Sequence, residues 1–114
     1  QFGVNLTRLP PGAWSSQRHW HSHEEELVYV LEGEVVLVDD SGEHALRTGD
    51  AAGFKAGERN GHHLQNRSAR DAVLLTIGTR DAADSGEYPD LDLQFLPGRY
   101  SGATGYAHKD GRRY

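Results

Sequence analysis

Apolar and polar residues alternate from the start of the chain: Phe2, Val4 and Leu6 flank Gly3 and Asn5, the period-two pattern of a strand. Pro10-Pro11-Gly12 ends it. Arg18 to His21 reads as a short strand. Leu27-Val28-Tyr29-Val30-Leu31 is apolar at both parities and predicts a central strand covered on both faces. Glu32-Gly33 turns it into Val35-Val36-Leu37-Val38, and Asp39-Asp40-Ser41-Gly42 makes the next hairpin. Further strands are expected over Glu43 to Arg47, Ala51 to Phe54, His62 to Asn66 and Ala72 to Gly78, with a glycine-containing loop from Lys55 to Gly61. No segment has the period of an amphipathic helix.

Short strands between turn signals define an all-β fold, a sandwich or barrel. Residues 1–78 form the expected barrel core. After Thr79 the composition turns polar, and 79–114 is read as a C-terminal extension packing on the barrel or on a partner subunit. Leu91, Leu93 and Phe95 alternate with Asp92 and Gln94 there, like a strand buried on one face.

At 114 residues one domain buries between about 60 and 70 % of its unfolded surface, enough for a core without staples. Cysteine is absent, so a transition metal must be held by nitrogen and oxygen. A cytoplasmic location is expected. The net charge of −5 argues against nucleic acid as a partner. No apolar run is long enough for a membrane span.

Five of seven histidines fall in two short stretches, His19-x-His21-x-His23 and His62-His63. On a strand His19 and His21 share a face, about 6.6 to 6.8 Å apart. Glu26 joins them if the chain turns through Ser22 to Glu25. A carboxylate carried into a barrel interior is costly unless paired or bound to a cation. His62, Leu64 and Asn66 share one parity; His63 and Gln65 face the other way. The set His19, His21, Glu26 and His62 suits one divalent ion of iron, manganese, nickel, zinc, cobalt or copper. His23, His63, Glu24 and Glu25 are read as rim residues, with His63 the substitute for His62 as fourth ligand, and Arg18 and Trp20 as pointing away from the ion. Gly33, Gly49 and Gly57 are turn residues, Asn66 a group that satisfies backbone, and Phe54, Leu64, Val28 and Val30 an apolar wall.

The whole pattern resembles the cupin superfamily, whose motifs are G-x5-H-x-H-x3 or 4-E-x6-G and G-x5-P-x-G-x2-H-x3-N. His19-x-His21-x4-Glu26-x6-Gly33 matches the first. Gly49-x5-Lys55-x-Gly57 and His62-x3-Asn66 match the second, with Lys55 in place of proline and four residues instead of two between Gly57 and His62. Counting forward from Gly57 selects Asn60, and counting back from Asn66 selects His62. Gly12 lies one residue too far from His19. The resemblance implies a double-stranded antiparallel β-barrel of jelly-roll type, a metal on the four named residues, and a homodimer. It also implies a metal-dependent enzyme of dioxygenase, isomerase or decarboxylase type acting on a small oxygen-rich molecule. The alternative is a non-catalytic small-molecule-binding or sensor domain.

Overall fold

The computed structural model describes residues 1–102 and 105–114. Its strands are β1 (Phe2–Leu9), β2 (Trp20–His21), β3 (Glu26–Glu32), β4 (Glu34–Asp39), β5 (Gly42–Arg47), β6 (Ala51–Phe54), β7 (His63–Gln65), β8 (Ala72–Thr79), β9 (Gly86–Tyr88), β10 (Leu93–Phe95) and β11 (Tyr106–Ala107). One 3-10 turn, Arg99–Ser101, is the only helical element among the described residues. All strand pairs are antiparallel, in three sheets ordered β1-β8-β3-β6, β5-β4-β7 and β11-β10-β9-β2. The all-β jelly-roll architecture expected from the sequence is therefore present.

The core forms where the first two sheets face each other. Leu9, Val28, Val30, Ala72 and Leu74 from one meet Val35, Leu37 and Leu64 from the other. β8 closes the core in sequence but lies between β1 and β3 in space. Gly33, with φ of 79°, turns β3 into β4; a Cβ there would meet the Asp71 carbonyl at 2.9 Å. Asn66 behaves as expected, donating to the carbonyls of Leu9 and Arg70 and accepting from Ser68.

β3 departs from the two-sided cover that its sequence predicts. β3 is covered on a single face within the chain: Val28 and Val30 are buried, whereas Leu27, Tyr29 and Leu31 stay about two-fifths exposed (41, 38 and 38 %). Their neighbours across β8 and β1 continue the same outer face. Leu27 pairs with Ile77 and Ile77 with Val4; Tyr29 pairs with Leu75 and Leu75 with Leu6. Phe2, Val4 and Leu6 therefore point outward, at 71, 62 and 68 % exposure. Apolarity at both parities of Leu27 to Leu31 reflects a face that the chain itself leaves open.

Residues after Thr79 do not hang free. β9 pairs with β2 through Trp20–Glu87 and His21–Gly86, and β10 pairs with β9. Phe95 is buried at 3 %, but Leu91 is exposed, so the alternation seen in the sequence shortens to Leu93–Phe95.

Candidate metal centre

His19 and His21 lie on and beside β2, Glu26 begins β3, and His62 stands just before β7, bridged to His19 by two backbone hydrogen bonds. The structure brings these four side chains to one wall. One ligand atom each of His19, His21 and Glu26 lies within 4.8 Å of the others. His62 Nε2 is 3.5 Å from Glu26 Oε2, and His21 Nε2 is 2.6 Å from Glu26 Oε1. Around an octahedral ion with bonds of about 2.1 Å, adjacent donors stand about 3 Å apart.

The other ring nitrogen of each histidine is already committed. His19 Nδ1 lies 2.9 Å from the Gln17 carbonyl, His62 Nδ1 3.0 Å from the Asn60 carbonyl, and His21 Nδ1 2.7 Å from the Asp84 carboxylate. A carbonyl or carboxylate only accepts, so in each neutral ring Nδ1 carries the proton and Nε2 presents its lone pair. This outer set of acceptors is the support that metal-bound histidines require. Glu26 Oε1 and His62 Nε2 are buried without a hydrogen-bond partner among the described residues. Without a metal, a protonated His21 bridges the Asp84 and Glu26 carboxylates at 2.7 and 2.6 Å; a divalent ion can take the place of the Nε2 proton, so the donor set of imidazoles and a carboxylate fits such an ion.

Electrostatics follow from the same contacts. Burial pushes the Glu26 carboxyl up, but the imidazoles of His21 and His62 outweigh it and hold the group below the usual carboxylate range. Burial also lowers His19, favouring the neutral ring that a metal needs. At His21 burial acts downward, and Glu26 and Asp84 together raise the net value.

The expected bystanders divide. Trp20 and Arg18 point away, as predicted. Arg18 donates to Asp90 (2.9 Å), Asp40 (3.0 Å) and the Gly61 carbonyl (2.8 Å), tying the strand that carries His19 to the loop before His62. His63 is not a rim residue: it is buried under Trp14, with Nδ1 on the Ser16 carbonyl and Nε2 beside the Gln65 amide. Glu24 also departs from expectation, being only 3 % exposed. It accepts from Arg99 at 2.7 Å, from the Tyr100 hydroxyl at 2.5 Å and from the Asp81 amide at 2.9 Å. Asp84 carries no signal in the sequence, because the polar stretch around Arg80 to Gly86 has no periodicity to mark which member turns inward, and Arg99 and Tyr100 reach the site only through the 3-10 turn.

Two cavities open on the ligand wall. One, of about 300 Å³, is lined by Asn5, Thr7, Ser15, Ser16 and Thr76 with an apolar side of Val28, Phe54, Leu64 and Leu74. Phe54 stacks on His62, ring centroids 3.6 Å apart, and so fixes its plane. The other, of about 250 Å³, is the mouth between β1, β8 and the 3-10 turn, where Arg80, Arg99 and Tyr100 stand. His19, Glu26, Asn5 and Thr76 line both.

Residues 5–78 match the model of the cupin domain. The chain is a cupin. A crystal structure from Silicibacter pomeroyi DSS-3, described as a sugar phosphate isomerase of the cupin superfamily, is 45 % identical and superposes with a TM-score of 0.94, covering 100 % of this chain and 71 % of that one. A structure from Acidithiobacillus ferrooxidans, provisionally named a sugar phosphate isomerase, is 28 % identical with a TM-score of 0.89 over 99 % of this chain and 70 % of that one. The oxalate-binding protein of Thermotoga maritima is 33 % identical over 70 residues, 61 % of this cupin, which spans 55 % of that curated relative's length. No helix among the described residues is long and apolar enough to cross a membrane.

Proposed function

We propose that this cupin is a mononuclear metal-dependent isomerase of small phosphorylated sugars, with the ion held by His19, His21, Glu26 and His62. The observation that carries the reading is the grouping of three imidazoles, each with Nδ1 engaged elsewhere, around the Glu26 carboxylate, beside two cavities that share His19 and Glu26. Resemblance to the Silicibacter pomeroyi protein along the entire chain supports the choice of isomerisation over dioxygenation or decarboxylation.

A divalent ion bound there would act as a Lewis acid on a carbonyl or hydroxyl oxygen. The chain's own groups supply the rest. Asn5, Thr7, Ser15, Ser16 and Thr76 offer neutral donors and acceptors suited to a polyhydroxylated chain, while Val28, Leu64 and Leu74 exclude water from one side. With an ion bound, Glu26 and the three imidazoles would set the side from which a substrate oxygen is met.

Reconstitution with manganese, zinc, iron or nickel, followed by product analysis on a panel of pentose and hexose phosphates, tests the reading. Interconversion of aldose and ketose phosphates, lost in Glu26→Gln together with metal occupancy, is the expected result. Stoichiometric metal with no turnover and tight oxalate binding would favour the second reading, a binding module, which the Thermotoga maritima relative supports.

The proposal includes a homodimer. The outer face formed by Val4, Leu6, Leu27 and Tyr29 is apolar and contiguous across β1, β8 and β3. Burying each large side chain contributes about 1.5–3 kcal/mol, and patches of this kind mark association surfaces. Among the described residues β1 also leaves one backbone edge unpaired in its sheet, an edge that a second copy can cover.

A further inference from the structure

We infer that Arg80 is the anion-binding residue of this site: its guanidinium, laid across the Gly3–Gly78 pair at the mouth, takes the terminal phosphate of the substrate. The inference rests on the functional reading above and adds to it the group that recognises the charged end.

Gly3 and Gly78 are direct cross-strand partners of β1 and β8. A Cβ at Gly3 would overlap the Arg80 guanidinium, and one at Gly78 would stand 3.0 Å from the Glu25 carbonyl and 3.2 Å from that guanidinium. Neither glycine has a positive φ, so neither is there for a turn. Their missing side chains leave the bed on which the guanidinium rests. Gly78 also pairs with Glu26, so Gly3, Gly78 and Glu26 form one cross-strand row. Two strand spacings, about 10 Å, separate its ends. The guanidinium and a proposed metal ligand are therefore within the reach of a short carbon chain ending in phosphate.

Charge accounting singles out Arg80 from Arg99. The carboxylates of Glu24 and Asp84 are both met by Arg99 Nη2, at 2.7 and 3.0 Å, and their remaining oxygens are filled by the Asp81, His23 and Glu24 amides and the Tyr100 hydroxyl. Among the described residues Arg80 has one hydrogen bond from its guanidinium, Nη1 to the Thr79 carbonyl at 3.2 Å, and a distant approach to Glu24 at 4.0 Å. A third of its side chain (33 %) remains exposed, toward the mouth that His19, His21 and Glu26 also line. A fork of uncommitted N–H donors is the group that suits phosphate oxygens.

The test is calorimetric titration of the manganese-loaded protein with inorganic phosphate, and with fructose 6-phosphate against fructose. Arg80→Gln should weaken phosphate binding about 10- to 100-fold, and Gly3→Ala, which displaces the same guanidinium, should weaken it less. Both variants should keep the parent's metal stoichiometry and affinity. Phosphate affinity unchanged by Arg80→Gln, or no phosphate binding by the parent, would overturn the assignment. Arg80-dependent phosphate binding without isomerisation of any sugar phosphate would sink the functional reading and leave the anion site standing. Isomerisation whose KM ignores Arg80→Gln would do the reverse.

Discussion

The Asp84 carboxylate receives Nδ1–H of His21 at 2.7 Å while its other oxygen accepts the amides of His23 and Glu24. A residue from beyond the barrel strands thus sets the tautomer and plane of a proposed metal ligand. Asp84→Asn removes the charge that makes the His21 ring a stronger donor, so metal affinity should fall about 10- to 100-fold. Competition against a chromogenic chelator measures this, with a urea unfolding curve to show that the fold survives. Equal affinities would demote Asp84 to a structural residue.

The adjacent histidines at the start of β7, His62 just before it and His63 its first residue, should behave oppositely. His62 aims Nε2 at Glu26, whereas both nitrogens of His63 are occupied elsewhere. His62→Ala should lower bound metal well below one equivalent by elemental analysis. His63→Ala should retain full metal yet lose about 1–3 kcal/mol of stability, since its partners lose a buried hydrogen-bonding group. Loss of metal in the His63 variant would shift the fourth ligand by one residue.

Acid should loosen the loop that delivers His62. Burial raises the Asp39 carboxyl, but hydrogen bonds from Ser41, Asn60 and His44 outweigh it and hold the group at about 2, below its ordinary 3.8. Asn60 connects Asp39 to the loop and offers its carbonyl to His62. Because the folded value is depressed, the stabilisation is complete above pH 4 and disappears as pH falls through 2. In metal-free protein, Asp39→Asn should cost roughly 1–2 kcal/mol at pH 5 and almost nothing at pH 2. Urea titrations at the two pH values decide it; a pH-independent difference would contradict the electrostatic origin.

Placing a charge on the outer face should separate the proposed dimer. Leu6 is 68 % exposed in the single chain, so Leu6→Lys disturbs no internal packing. Light scattering coupled to size exclusion should then give the monomer mass, against twice that for the parent. A parent that runs as a monomer would remove the dimer from the proposal.

What the sequence conveyed was periodicity and motif spacing. Strands with clear alternation or β-branched runs, such as β4 and β6, were legible to within a residue or two, and so was the grouping of His19, His21, Glu26 and His62. Glu24-Glu25-Glu26 was not, because three identical charges in a row carry no parity signal once the chain is turning. In the fold Glu24 is buried on Arg99, Glu25 stays exposed and holds the Ala56 amide, and Glu26 enters the barrel. Asp84 and Arg80 were missed for a related reason: their roles come from contacts with residues about sixty to eighty positions earlier, which local pattern cannot encode.

β2, only two residues long, finds its hydrogen-bonding neighbour in β9 rather than in the barrel sheets. Whoever transplants this ion site onto another jelly roll must therefore carry the segment from Asp84 to Phe95 with it. The stretch that family comparison recognises, residues 5–78, holds all four proposed ligands but not the neighbour that keeps two of them in place, so the heritable unit of this site is larger than its signature.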